Sequence, residues 1–458
     1  MRDNTSILED TILTLLESKK YLTIRDILTI MNPTDVAIMF EELSEEKLPL
    51  LFRLLPKELA AETFVEMSSD AQQLLIHGFS DNELKDVIDE LYVDDAVDIV
   101  EEMPANVVKR ILRQADPEMR KTINEILKYP EDSAGSIMTT EYVSLRPQMT
   151  AEEAIKRIRR TGVDRETIYT CYVTEADKTL IGYISLKTLI LADEEEVIDD
   201  LMEEHLISVT TSDDQEDVVQ LFTKYGLMAL PVVDKEGRLV GIVTVDDAID
   251  VIQEEATEDI EKMAAIIPSE KPYMKMSVIE LWKARMPWLL LLMISATFTG
   301  MIITGFESAL AAQAVLTAFI PMLMDTGGNS GSQSSVSIIR GIALQEIKFS
   351  DYFSVLWKEA RVSILCGGAL AIANFAKMLV VDKMILQNNQ ITVAVAFVVC
   401  LTLFLTVVCA KVVGCSLPLL AKKMKLDPAV MASPFITTIV DAISLLIYFQ
   451  IALVLLKL

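Results

Sequence analysis

Phe319–Ser335 reads FIPMLMDTGGNSGSQSS, and Pro434–Phe449 reads PFITTIVDAISLLIYF. Each run places one carboxylate, Asp325 or Asp441, inside a segment of the length and apolarity that a bilayer-spanning helix requires. A carboxylate at mid-bilayer costs roughly 3 kcal/mol on insertion scales, so it is expected to face a partner or a water-filled path. Gly327, Gly328 and Gly331 surround Asn329, Ser330, Ser332 and Gln333. That composition predicts a helix broken at membrane depth, which is tolerated only where it lines protein or water. Ser433-Pro434 and Thr437-Thr438 precede Asp441 by one or two turns, and Pro434 is expected to free a carbonyl one turn back. Asp325, Asn329, Gln333, Ser433, Thr437, Thr438 and Asp441 together offer oxygen ligands and no soft ligand. Such a set suits a hard, hydrated cation. The alternative for either acid is a helix–helix hydrogen bond.

Working outward, five apolar segments are expected to span, at about 286–306, 311–338, 362–381, 391–420 and 431–456. The loops carry a strong charge bias. Lys271, Lys275, Lys283, Arg285, Arg340, Lys348, Lys358, Arg361, Lys422, Lys423 and Lys425 fall on one side, and only Lys383 and Lys457 on the other. Positive charge stays in the cytosol, so the N-terminus is expected inside and the C-terminus outside, in a plasma (inner) membrane.

The remainder is different in kind. From Lys283 onward the chain holds 13 Lys+Arg and 8 Asp+Glu; the totals are 41 and 68, leaving 28 and 60, net −32, for residues 1–282. That acidic half repels phosphate backbones, so nucleic acid is not an expected partner, and it attracts cations. Many acidic cytosolic domains bind nothing special, so individual residues must carry the case. The five cysteines form no CxxC pair, and there are only two histidines, which fits a reducing compartment without a zinc centre. MRDNTSILED lacks the apolar core of a signal peptide.

Two patterns organise the acidic half. From Asp35, similar stretches recur every 12 residues: DVAIMFEEL, KLPLLFRLL, LAAETFVEM, AQQLLIHGF, ELKDVIDEL, DAVDIVEEM. Two helical turns cannot bury a face alone, so stacked neighbours are expected to form an all-α superhelix over residues 1–128. Ser and Pro at the breaks are read as N-cap and N1 of each next helix. Over 129–247, two copies follow the order strand, acidic helix, strand, turn, strand; their hairpins are YTCYVTEADKTLIGYISL and MALPVVDKEGRLVGIVTV. These copies resemble a tandem α/β pair of CBS domains, which are regulatory modules. AIDVIQEEATEDIEKMAAIIP, 248–268, reads as an amphipathic connecting helix with a stripe of Ile249, Ile252, Ala256, Ile260 and Met263. The pore domain is assigned to 269–458.

This order of parts, with DTGGNSGSQS (325–334) and DPAVMASPFITTIVDAISLLIY (427–448), resembles the MgtE family of Mg2+ channels across nearly the whole chain. The resemblance implies a multidomain homodimer in a lipid bilayer: helical N domain, CBS pair, connecting (plug) helix and five-helix transmembrane domain. It implies that Asp441 of both subunits holds a hydrated Mg2+ in the pore. It further implies that cytosolic Mg2+ closes the pore by bridging acids of three parts. The matching positions are Glu62, Asp94 and Asp98 in the helical domain; Asp214, Glu216, Asp246, Asp247 and Asp250 in the CBS region; and Glu255, Glu258 and Asp259 on the plug helix. Any one of these acids alone is as well read as a solvated surface group. Gly226 stands where some relatives carry an acid, and Ser433 where relatives often have Asn. Relatives can bind ATP between CBS copies; here Thr244 and Asp247 keep the ribose-binding spacing, while Thr188 replaces the acid in the first copy.

Two other classes compete. A secondary transporter exchanging Mg2+, Co2+ or Mn2+ for Na+ or H+ could use Asp325 and Asp441 as a relay, but the spans show no inverted repeat. A membrane-anchored sensor would not need acids within its spans. No P-loop and no nucleophile–base set point to an enzyme or an ATP-driven pump.

Overall fold

The computed structural model describes residues 2–269, 271–388, 390–431 and 433–457. The chain divides into two compact units, Met1–Ile252 and Gln253–Leu458.

Ten helices open the first unit: Arg2–Glu17 (α1), Tyr21–Leu28 (α2), Pro33–Glu41 (α3), Leu48–Phe52 (α4), Lys57–Val65 (α5), Ser69–Gly78 (α6), Asp81–Ile88 (α7), Val93–Glu102 (α8), Ala105–Gln114 (α9) and Pro117–Ile126 (α10). The 12-residue period is visible in them, because each short helix buries one apolar cluster against its neighbours. Phe40, Phe52, Phe64, Ile76, Ile88 and Val100 recur at that spacing inside one core. Ser80 caps α7 with a reciprocal box through Glu83, and Asn32 caps α3 ahead of Pro33. Pro56 and Pro104 depart from expectation. They occupy the N-cap, not N1, because their backbones are still extended, at ψ 155° and 144°.

The duplicated segment forms two three-stranded sheets of identical plan. Val143–Leu145 (β1) runs parallel to Thr170–Thr174 (β2), which pairs antiparallel with Leu180–Ser185 (β3). Val209–Thr210 (β4), Ala229–Val233 (β5) and Leu239–Thr244 (β6) repeat this order. Helices Ala151–Thr161 (α11), Leu186–Leu191 (α12), Ile198–Leu201 (α13) and Gln215–Tyr225 (α14) connect the strands. Gly226 closes α14 at φ 63°, the left-handed conformation that glycine takes without a Cβ penalty.

The connecting helix differs from the expected 248–268. It is Val245–Met263 (α15), starting directly at the end of β6. It stops early because Ala265 adopts φ 55° and Pro268 disfavours helix before it. Its apolar stripe also differs. Ala248 and Val251 are buried, whereas Ile249, Ile252 and Ile260 are exposed on the single chain.

The second unit holds Val278–Gly305 (α16), Glu307–Ala312 (α17), Ile320–Ala343 (α18), Tyr352–Lys377 (α19), Val393–Lys423 (α20) and Ser433–Leu456 (α21). By length and composition, the helices around α16, α19, α20 and α21 could each cross a membrane; α18 is too polar to meet that test. The third expected span begins ten residues early, at Tyr352, and ends in a π-helical turn, Met378–Ile385. The expected break in α18 is absent. Gly327, Gly328 and Gly331 are helical and buried, and the irregular backbone lies before them, in the 3-10 segment Ala314–Phe319. The glycines serve packing: a methyl at Gly327 would lie 2.6 Å from Thr406 Cγ2, and one at Gly328 would lie 2.8 Å from Thr437 Cγ2.

Candidate functional site

In the first unit, acids converge on one cavity of about 360 Å³. The first turn of α8 brings Asp94 and Asp95, and the first turn of α15 brings Asp246 and Asp247. Glu62, Glu66 and Glu90 come from the helical repeats, and Glu166 from the loop before β2. Two helix N-termini therefore point acids at the same space, where their macrodipoles favour negative charge. The Thr139–Ile242 bridge, with N–O distances of 2.8 and 2.9 Å, holds the segment bearing Glu141 against β6. Glu141 Oε2 accepts from the Val93 amide at 3.3 Å.

Asp94, Glu141 and Glu166 each place one carboxylate oxygen within 4.8 Å of the others. Asp94 is 7% exposed. Asp94 Oδ1 and Glu166 Oε2 are buried without a hydrogen-bond partner among the described residues. At an effective dielectric of about 20, two carboxylates at that separation repel by roughly 3 kcal/mol. Burial and the neighbouring acids push the protonation of the group upward. Glu166 is raised to about 8 and Asp95 to about 7, in each case by burial first and then by the charge of Asp247. Asp247 is raised to about 6 by burial, against a hydrogen bond from Thr244. Asp94 is raised well above the usual carboxylate range, by burial and then by Asp247. A hard divalent cation would supply the missing partner for these oxygens, so the donor set fits Mg2+.

Of the expected sensor acids, Glu62, Asp94, Asp246 and Asp247 meet at this cavity. Asp98 and Asp250 lie about one turn further along α8 and α15 and are exposed. Asp214 and Glu216 lie away from it, at the N-terminus of α14, where Asp214 Oδ1 accepts from the Glu216 amide at 2.9 Å. Glu255, Glu258 and Asp259 belong to the second unit. There Lys262 pairs with Glu258 at 2.5 Å and with Asp427 at 2.7 Å. Burial and Asp427 raise the Asp259 carboxyl. Asp95, Glu141, Glu166 and Asp427 were missed from sequence. Of these, only Asp427 and Asp95 fall in sequence patterns quoted above, DPAVMASPFITTIVDAISLLIY and the repeat DAVDIVEEM. Thr244 Oγ1 donates to Asp247 Oδ2 at 2.5 Å, so the residues with ribose-binding spacing are also engaged with the acid cavity.

In the second unit, α18 packs on α20 and α21. Its outer face carries Asp325, Asn329 and Gln333 four residues apart, all exposed on the single chain, and Asn329 Nδ2 donates to Asp325 Oδ1 at 3.1 Å. On α21, Asp441, Thr437 and Thr438 are half-buried, and Asp325 is a charged neighbour of Asp441. Pro434 differs from expectation. As the second residue of α21 it frees no carbonyl; its own carbonyl accepts from Thr437 Oγ1 at 2.9 Å and Thr438 Oγ1 at 3.0 Å. The side chain of Ser433 lies outside the described residues.

With this geometry in view, the comparisons with known proteins are consistent across the chain. Residues 320–451 match the MgtE divalent cation transporter family, 31–132 the MgtE intracellular N domain, and 134–195 and 198–254 the CBS domain. The magnesium transporter MgtE of Thermus thermophilus is 37% identical over 438 residues, 95% of each chain. That of Bacillus subtilis is 32% identical over 445 residues, 96% of each. A solved cytosolic domain of the Mg2+ channel MgtE in complex with ATP is 36% identical, with a TM-score of 0.51; it covers 53% of this chain and 99% of its own. The soluble part of a magnesium transporter is 31% identical, with a TM-score of 0.52, covering 55% and 99%.

Proposed function

The chain belongs to the MgtE family of divalent cation transporters, and from that premise we propose that it is a Mg2+-selective influx channel closed by cytosolic Mg2+. One observation carries the pore. A polar stripe, Asp325–Asn329–Gln333, lies exposed on a helix set among four apolar ones, beside Asp441. Lipid does not solvate such a stripe, so it faces water or a second copy of the chain. We read it as one wall of a path completed by the partner in a homodimer. Hydrated Mg2+ keeps much of its water, and Asp441, Thr437 and Thr438 supply oxygen to that shell. Five crossings, with the N-terminus inside, agree with the lysine and arginine bias.

The acid cavity supports the gate. Without a cation, Asp94, Glu141, Glu166 and Asp247 repel, and the helical repeats and CBS pair that contribute them are loosened. With Mg2+ bound they are drawn together. Mg2+ closes the pore only to the extent that it binds the closed arrangement more tightly. The exposed Ile249, Ile252 and Ile260 on α15 fit burial against a second copy. ATP binding by the relative's cytosolic domain makes Thr244 and Asp247 the positions to test for nucleotide.

Flux into proteoliposomes, and single-channel recording with and without Mg2+ on the cytosolic face, test the whole proposal. Unitary Mg2+ currents that need no Na+ or H+ gradient, and that cease at millimolar cytosolic Mg2+, are expected. Uptake that requires such a gradient would replace the channel with a coupled transporter.

A further inference from the structure

The face of α18 opposite its polar stripe is packed, and it meets a buried charge on a neighbouring helix. Gly331 there meets the backbone of Gly414 on α20, close enough that a side chain at Gly414 would collide with the Gly331 carbonyl. Within about a turn of that contact, Lys411 of α20 is only 5% exposed. Its Nζ donates to Ser334 Oγ of α18 at 3.2 Å. Ser334 Oγ donates in turn to Glu359 Oε2 of α19 at 2.6 Å. An ammonium and a carboxylate on two helices thus hold one hydroxyl on a third.

A lysine within a membrane segment costs about 3 kcal/mol on insertion scales, so something must offset that cost. Stability alone is a weak reason, since buried charged groups can often be exchanged for apolar ones at little cost. What the pair supplies is direction. Successive residues on a helix are separated by about 100°. Ser334 is adjacent to Gln333, so fixing the azimuth of Ser334 fixes the azimuth of Asp325, Asn329 and Gln333 on the far side. Lys411 and Glu359 engage Ser334 on the packed face, so their role is indirect.

We propose that Lys411 and Glu359 are a positioning pair which, through Ser334, sets the rotation of α18 and so aims its polar stripe along the ion path. This rests on the stripe lining that path, so Asp441→Ala is measured alongside. The full-length protein is reconstituted as wild type, Lys411→Met, Glu359→Gln, the double variant and Ser334→Ala, and Mg2+ and Mn2+ uptake are followed. Each single change is expected to lower maximal Mg2+ uptake about tenfold and to shift KM or the Mg2+/Mn2+ ratio at least about threefold; the double variant, in which neither group holds Ser334, is expected to show the same shift as the singles without adding to it. Ser334→Ala keeps both charges and serves if a charge variant fails to fold; it is expected to change the ion ratio in the same direction. A purely structural role would lower the amplitude and leave KM and ion ratio unchanged in every variant, and that result overturns the proposal. So does a double variant whose KM and ion ratio are those of the wild type. Wild-type uptake by Asp441→Ala refutes the path itself; a dead Asp441→Ala beside unaffected Lys411 and Glu359 variants refutes the pair alone.

Discussion

Gly414 rests directly on Gly331, backbone against backbone, at the crossing of α20 and α18. No side chain fits between the two helices there. Gly414→Ala therefore forces them apart or strains them, at an expected cost of about 1–3 kcal/mol. A lower thermal midpoint of the detergent-solubilised protein, together with reduced uptake, is the predicted outcome. An unchanged midpoint would show that the contact relaxes freely.

Asp441→Ala removes the charge from the middle of α21 and adds apolar character, so insertion and expression should be normal. Mg2+ uptake should fall to background. Proteoliposome flux is the measurement, and wild-type flux would exclude Asp441 as the essential ligand.

The acid cavity predicts a pH dependence. Glu166, Asp95 and Asp247 are raised to about 8, 7 and 6, above an unfolded value near 4. The folded chain then holds extra protons, so the stability linked to these groups is complete below the unfolded value. It is lost as pH rises through the folded values. Mg2+-free protein should unfold at a lower temperature at about pH 8.5 than at about pH 5.5, and Mg2+ should remove that difference. Glu166→Gln should flatten the profile and shrink the Mg2+ gain. A Mg2+-free midpoint that rises with pH would contradict the cluster.

Specific bridging by Mg2+ differs from screening. Mg2+ should protect the acidic half from limited proteolysis in the full-length protein, and KCl of equal ionic strength should not. Neutralising Asp94, Glu166 and Asp247 together should abolish that protection and leave the channel conducting at cytosolic Mg2+ that shuts the wild type. Equal protection by KCl would make screening the explanation.

A reporter fused after Leu458 should be active only outside the cytosol. Cytosolic activity would reverse the topology.

The sequence by itself determined the elements. Period-12 recurrence of Phe40, Phe52 and Phe64, the two matching hairpins at Thr170–Ser185 and Ala229–Thr244, and the long apolar runs are all properties of consecutive residues. A reading along the chain reaches them for that reason. It also reached Asp325 and Asp441, because a charge in an apolar run is visible locally. The tertiary structure alone decided which acids meet. Asp94, Glu141 and Glu166 come from a helix N-terminus and two loops, and nothing in their local sequence marks their oxygens as lying within 4.8 Å. It also decided what the glycines of α18 do. Composition predicts a break there, but close packing against Thr406, Thr437 and Gly414 makes an unbroken helix the better solution, since every backbone group stays paired. Lys411 is likewise a charge within an apolar run, but its role is not local: its partners, Ser334 and Glu359, stand on other helices, and only packing brings the three together.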